Sequence, residues 1–169
     1  DDAGITTSFD HPGLMEGSDG PLPNDRRYTI KANGAYALTD EWRLGGTALV
    51  QSGRPLNCLG YYAGSIPDAS VSYGAASFYC NGQLIPRGSL GRTERVWDFG
   101  LQLQYTHMAV KGLTVKADVL NILNRRSVLG VTEEGEAGSS GSPNPNAQRP
   151  RLAAIQSPRT FKVSAAYEF

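Results

Sequence analysis

The chain has 169 residues, enough for one domain, and its 16 basic and 16 acidic side chains cancel. A balanced charge leaves no field that would gather nucleic acid or an acidic surface. Hydrophobic residues make up 40%, mean hydropathy is negative, and no apolar run approaches the roughly 18–20 residues of a membrane helix; a membrane β-strand, needing about 9–11 residues of which alternate ones meet lipid, is not excluded.

Residues 1–25 are rich in Gly, Pro, Asp and Ser, lack a period and read as a loop. The chain opens Asp1-Asp2-Ala3-Gly4 rather than on a secretory leader, so it reads as a mature or cleaved piece, or as a chain that is not exported. Alternation begins at Tyr28, with Tyr28, Ile30, Ala32, Gly34, Tyr36 and Leu38 on one parity and Thr29, Lys31, Asn33, Ala35 and Ala37 on the other. Thr39-Asp40-Glu41 is a tight turn. The second run sets Trp42, Leu44, Gly46, Ala48 and Val50 against Arg43, Gly45, Thr47, Leu49 and Gln51. Residues 53–92 are a long aperiodic stretch holding Cys58, Cys80 and several aromatics. The third run sets Trp97, Phe99, Leu101, Leu103 and Tyr105 against Asp98, Gly100, Gln102 and Gln104. Val110-Lys111-Gly112 turns the chain.

The fourth run sets Leu113, Val115, Ala117, Val119 and Leu123 against Thr114, Lys116, Asp118 and Leu120, with Asn121 falling on the apolar parity. That asparagine marks either a strand rising above an apolar layer or a bulge. Residues 132–156, including Gly138-Ser139-Ser140-Gly141-Ser142-Pro143-Asn144-Pro145, form a second low-complexity loop. The fifth run, Phe161, Val163, Ala165, Tyr167 and Phe169 against Lys162, Ser164, Ala166 and Glu168, closes the sequence on an aromatic residue, as outer-membrane β-barrels do.

Alternation alone also fits a soluble antiparallel sheet, and a soluble β-sandwich module is the competing architecture. Four features favour lipid. Lys31, Arg43, Asp98, Lys116, Asp118, Lys162 and Glu168 all lie opposite the aromatic parity, as the cost of a charge facing lipid demands. Short turns alternate with long loops, the pattern of periplasmic turns and extracellular loops. Tyr36, Trp42, Tyr105, Tyr167 and Phe169 fall at the short-turn end, and Tyr28, Trp97, Phe99 and Phe161 toward the long-loop end, matching two aromatic girdles. The runs are also long, about 11–13 residues against a soluble mode near 5–6. The fold expected is therefore all-β: an antiparallel transmembrane β-barrel segment of five strands. Bacterial barrels start at eight strands and are even-numbered, so these must be the last strands of a larger barrel, completed by more of the same protein or by another chain. On this count residues 1–25 are an extracellular loop, 26–169 carry the barrel strands with extracellular loops at about 53–92 and 132–156, and Phe169 sits at the periplasmic rim.

Leu22-Pro23-Asn24-Asp25-Arg26-Arg27, Thr39-Asp40-Glu41-Trp42-Arg43, Gln51-Ser52-Gly53-Arg54-Pro55 and Arg95-Val96-Trp97-Asp98-Phe99 resemble the late barrel of Oar-like TonB-dependent outer-membrane receptors. Val115 to Asn124, with its Asn-x-x-Asn element, is similar to that family's penultimate strand, and Ser157-Pro158-Arg159 and Tyr167-Glu168-Phe169 to its last. The resemblance implies a 22-stranded barrel with an internal plug, of which this is strands 18–22. It implies import of a scarce nutrient driven by the TonB complex through the plug, in the outer membrane of a Gram-negative bacterium. It also makes Phe161, Val163, Ala165, Tyr167 and Phe169 the signal read by the barrel-assembly machinery. A passive outer-membrane channel, or a barrel anchor for surface proteins, is the alternative use of the same architecture. The partners expected are lipid, the remaining strands and plug, the TonB complex and the assembly machinery.

The site residues follow from these placements. Lys31, Arg43, Asp98, Lys116, Asp118 and Lys162 should face the lumen, most of them paired with neighbouring strands or the plug. Cys58 and Cys80, an even count in one loop, suit a disulfide in an oxidising compartment, with two free thiols as the alternative. Tyr61, Tyr62, Tyr73, Phe78 and Tyr79 offer a possible ligand-contact loop, against the plainer expectation that they pack the loop around the disulfide. Glu133, Glu134 and Glu136 read as a solvated loop tip, with weak divalent-ion binding as the alternative. His11 and His107 lie at opposite ends with no Ser–acid pair beside either, so no catalytic or metal site and no cofactor are expected.

Overall fold

A computed structural model describes residues 11–66, 74–110, 112–139, 142–144 and 151–169. Outside the described residues lie 1–10 of the opening loop, 67–73 with Tyr73 among them, Lys111 of the second short turn, and 140, 141 and 145–150 of the Gly/Ser/Pro run. Among the described residues the fold is all-β and mostly antiparallel, with one four-residue helix, α1 (Pro12–Met15). The strands in chain order are β1 (Thr29–Ala37), β2 (Trp42–Gln51), β3 (Tyr79–Cys80), β4 (Gln83–Leu84), β5 (Val96–Thr106), β6 (Leu113–Leu120), β7 (Val128–Thr132), β8 (Ala137–Ser139), β9 (Ser142–Asn144), β10 (Arg151–Ile155) and β11 (Thr160–Tyr167). The chain divides into two compact units: described residues of 26–53, 94–129 and 155–169 form one, and those of 1–25, 54–93 and 130–154 the other.

The first unit is a sheet in the order β1-β2-β5-β6-β11. Its register aligns the parities across every interface. Gly34 faces Gly46, Gly46 faces Leu101, Leu101 faces Val119 and Val119 faces Phe161. The next row toward the short turns reads Tyr36, Leu44, Leu103, Ala117, Val163, and the one after it Trp42, Tyr105, Val115, Ala165. The same register puts Ala35, Gly45, Gln102, Asp118 and Lys162 in a row on the opposite face. A slip of one residue at any interface would mix the two sets. The short turns hold the register: Thr39 Oγ1 accepts the N–H groups of Glu41 (3.2 Å) and Trp42 (3.1 Å). Gly112 turns with φ +86, where an added Cβ would run into the Glu168 carbonyl.

The strands are shorter than the sequence suggests. They span 9, 10, 11, 8 and 8 residues, so only β5 reaches the 11–13 expected. The cause is plainest in β6, which stops at Leu120 and leaves Leu123 outside the strand. Asn121 and Asn124 adopt left-handed conformations (φ 48 and 50), which asparagine tolerates better than most residues. Asn121 Nδ2 donates to the carbonyls of Arg125 (2.8 Å) and Ser157 (2.7 Å), and its Oδ1 accepts the Arg125 N–H at 3.0 Å. Asn124 Oδ1 accepts the Arg159 N–H at 3.0 Å. The Asn-x-x-Asn element is thus a strand stop that also fixes where β11 begins; Asn121 is buried in this knot.

In the second unit the two stretches expected to be aperiodic contain strands. β3 and β4 form a hairpin inside 53–92. β7 pairs with β10 and β8 with β9 around the second loop. These strands are two to five residues long, too short for a period to show. Cys58 and Cys80 are joined by a disulfide, with Cα atoms 5.8 Å apart and a separation of 22 residues. Closing such a loop stabilises by about 3 kcal/mol in the chain-entropy account. Gly135 packs against it, where an added Cβ would strike Cys58 Sγ.

Candidate functional site

The two faces of the five-stranded sheet differ sharply. The apolar face is open: Tyr36 is 71% exposed, Phe161 71%, Val163 75% and Ile30 60%. Its rings pair along the short-turn row, Trp42 and Tyr105 with centroids 4.6 Å apart. Toward the other end Trp97 and Phe99 meet edge to face at 6.1 Å. No charged side chain belongs to the strand parity that carries these residues.

The opposite face carries Lys31, Arg43, Asp98, Lys116, Asp118 and Lys162, all on one parity by the register. Gln102 Nε2 donates to Asp118 Oδ1 at 2.6 Å, with Lys162 directly across from Asp118. Arg43 faces Gln104, which faces Lys116. Farther from the short turns the face hollows into a recess of about 690 Å³, bordered by Lys31, Asn33, Asp98, Leu120 and the entry to β11 at Gln156–Pro158. Gly100 is buried at its floor; a Cβ there would sit 2.8 Å from Thr47 Oγ1. Gln156 is only 5% exposed. Its Nε2 donates to the Trp97 carbonyl at 2.9 Å, and its Oε1 has no hydrogen-bond partner. Alternation could not single out Gln156, which lies in no regular run.

The second unit is held by side chains reaching backbone. Glu136 is buried at 5% exposure. Its Oε2 accepts the Tyr61 N–H at 2.9 Å and its Oε1 accepts the Asn81 N–H. Glu133 pairs with Arg54 at 2.7 Å, and Asn57 Oδ1 accepts the Gly88 N–H at 2.6 Å. Arg92 pairs with Asp25, and also donates to its carbonyl at 3.0 Å. The solvated acidic tip expected at Glu133, Glu134 and Glu136 is therefore not what forms. Two of the three carboxylates are spent on loop order, because a buried carboxylate is retained only where donors surround it.

Phe78 and Tyr79 are buried, Arg87 lies 4.9 Å from the centre of the Phe78 ring, and Tyr62 meets Tyr79 edge to face at 5.3 Å. Burial raises the Tyr79 pKa, helped by a hydrogen bond to Glu16 and by the charge of that carboxylate. Of the five aromatics suggested for ligand contact, Phe78 and Tyr79 face inward, Tyr61 and Tyr62 are half-buried, and Tyr73 lies outside the described residues. His107 caps the second short turn, its Nδ1 accepting the N–H groups of Ala109 and Val110 at 3.1 Å each. His11 precedes α1. Among the described residues no three His, Cys, Asp or Glu side chains converge as metal ligands. Comparison with protein-family models, with curated proteins and with solved structures yields no match.

Proposed function

We propose that this chain forms part of the wall of an outer-membrane β-barrel, the late strands of a TonB-dependent receptor of the kind its sequence resembles, importing a scarce nutrient. One observation carries the reading. Five strands in register present a continuous, exposed apolar face, while every strand charge lies on the other side. In water a patch of that extent is an aggregation liability; in a bilayer it is the required outer surface. The dimensions agree. Five apolar rows from Ile30–Val50–Trp97 to Trp42–Tyr105 are separated by two residues each. That is about 27 Å along the strands, and about 20 Å along the normal at a barrel's tilt, before side chains extend it toward the roughly 25 Å apolar band.

In this arrangement the partners are outer-membrane lipid, the remaining strands and plug, the TonB complex acting through the plug, and the barrel-assembly machinery. The polar face lines the lumen, and the short turns lie in the periplasm. The test is fractionation of cells expressing the intact protein. It should sediment with outer membranes, resist urea and carbonate washes, and migrate faster on gels before boiling than after. Recovery as a monodisperse protein without detergent would sink the proposal.

A further inference from the structure

We infer that the recess on the polar face binds a short zwitterionic peptide of about three residues, Asp98 taking its amino group and Lys31 its carboxylate. The inference names a substrate class for the lumen wall and rests, for its biological meaning, on the transport reading above. The recess, at about 690 Å³, is within the range of roughly 300–1,000 Å³ usual for small-ligand sites.

The charge pattern narrows the ligand. Lys31 faces Leu49, and Leu49 faces Asp98. The two charged residues therefore stand two strand spacings apart, about 10 Å between their backbone positions, with an apolar residue between them. Among the described residues neither has an ion-pair partner. A neutral sugar brings no charge to pair with either residue, and an ion of one sign pairs with only one of them. A single amino acid carries both charges too close together. An extended chain advances about 3.3–3.6 Å per residue, so three residues span roughly the 10 Å required.

The rest of the recess suits such a ligand. Gln156 borders the recess with a nearly buried side chain held by its bond to the Trp97 carbonyl. Leu49, Leu120 and Leu129 offer apolar surface for side chains. Gly100 keeps the floor open, since a Cβ there would crowd Thr47.

Calorimetric titration of the intact, membrane-extracted protein with Ala-Leu-Ala, its N-acetylated form, its C-amide and maltotriose tests the assignment. Ala-Leu-Ala should bind saturably, and acetylation or amidation should each weaken it about tenfold or more, the worth of a charge-assisted hydrogen bond. Asp98→Asn should remove the discrimination against the acetylated peptide alone, and Lys31→Ala the discrimination against the amide alone. Gly100→Ala should weaken all forms. Absence of saturable binding, affinities untouched by both charge substitutions, or tighter binding of maltotriose would overturn the inference. Gel mobility before and after boiling confirms that each variant is folded. Outer-membrane protein that binds no peptide defeats this site and leaves the barrel reading standing. Peptide binding by a protein that needs no detergent supports the site and defeats the barrel.

Discussion

Leu101 occupies the middle of the five apolar rows, with Gly46 and Val119 opposite it on either side, and is 47% exposed. Its neighbour Gln102 points to the other face, beside Asp118. Leu101→Arg and Gln102→Arg therefore place the same charge one residue apart on opposite sides of one strand. If the apolar face meets hydrocarbon, Leu101→Arg costs about 2–4 kcal/mol, the range for arginine at the midplane of a barrel wall. At 1.4 kcal/mol per decade that is roughly 30- to 700-fold in the folding equilibrium. Gln102→Arg should stay within about 0.5 kcal/mol, as an ordinary surface change does. Depth supplies a second axis. Tyr105→Arg, in the row nearest the short turns, should cost about 0–1 kcal/mol as an interfacial arginine does. The assay is urea titration of the intact protein folded into phosphatidylcholine vesicles, followed by tryptophan fluorescence. Equal midpoints for Leu101→Arg and Gln102→Arg would refute lipid on that face. A cost at Leu101 equal to that at Tyr105 would refute the placement of the midplane.

Asn121→Ala removes three hydrogen bonds and leaves a left-handed backbone to alanine. It should cost about 2–4 kcal/mol, with Asn121→Gly intermediate because only the bonds are lost; urea midpoints separate the two. Glu136→Gln leaves an amide N–H₂ against a backbone N–H. It should destabilise the disulfide-bearing unit by about 2–3 kcal/mol, read as faster proteolysis within 54–93 with the sheet's hydrogen exchange unchanged. Tyr79 should ionise above the ordinary 10.0 in an alkaline titration followed at 295 nm. Because the folded state holds its proton more tightly than the unfolded one, Tyr79 leaves stability unaffected below pH about 9. It subtracts stability as pH rises through the window between the ordinary and the raised value. Ionisation at the ordinary value would show that the ring is not buried.

The sheet was legible because period-2 alternation is a local property that the register then copies across strands. Once Trp42 and Tyr105 share a parity, the pairing of the two strands sets Trp42, Leu44, Ala48 and Val50 of β2 opposite Tyr105, Leu103, Phe99 and Trp97 of β5. The strand ends were less legible. Asn121 breaks the parity, and only its backbone angle distinguishes a strand stop from a bulge. The second unit was legible only in its cysteines. Its order comes from contacts distant in sequence, such as Glu136 with Tyr61 and Asn81, or Arg54 with Glu133. No periodicity records such pairings, and a carboxylate among Gly and Thr looks solvated until its donors are in place. Gln156 is a similar case, since an unpaired acceptor exists only in three dimensions.

The open edges argue along the same lines as the apolar face. Among the described residues nothing pairs with the outer edge of β1 or of β11. β1 has nine residues, so about nine of its backbone N–H and C=O groups point away from β2. In hydrocarbon each unsatisfied group costs several kcal/mol, a total of tens of kcal/mol for that edge alone. In water the groups are solvated, yet a long alternating edge is a template for pairing with other chains. Neither solvent tolerates both an apolar face and two free edges. Burying the face in lipid solves the first problem and makes the second absolute. The proposed location therefore requires further strands on both β1 and β11, in the same protein or a partner chain. Soluble sheets blunt such edges by charging or shortening them; β1 and β11 carry one lysine each, Lys31 and Lys162, over nine and eight residues, so exposed Ile30, Tyr36, Phe161 and Val163 leave most of each edge open to pairing.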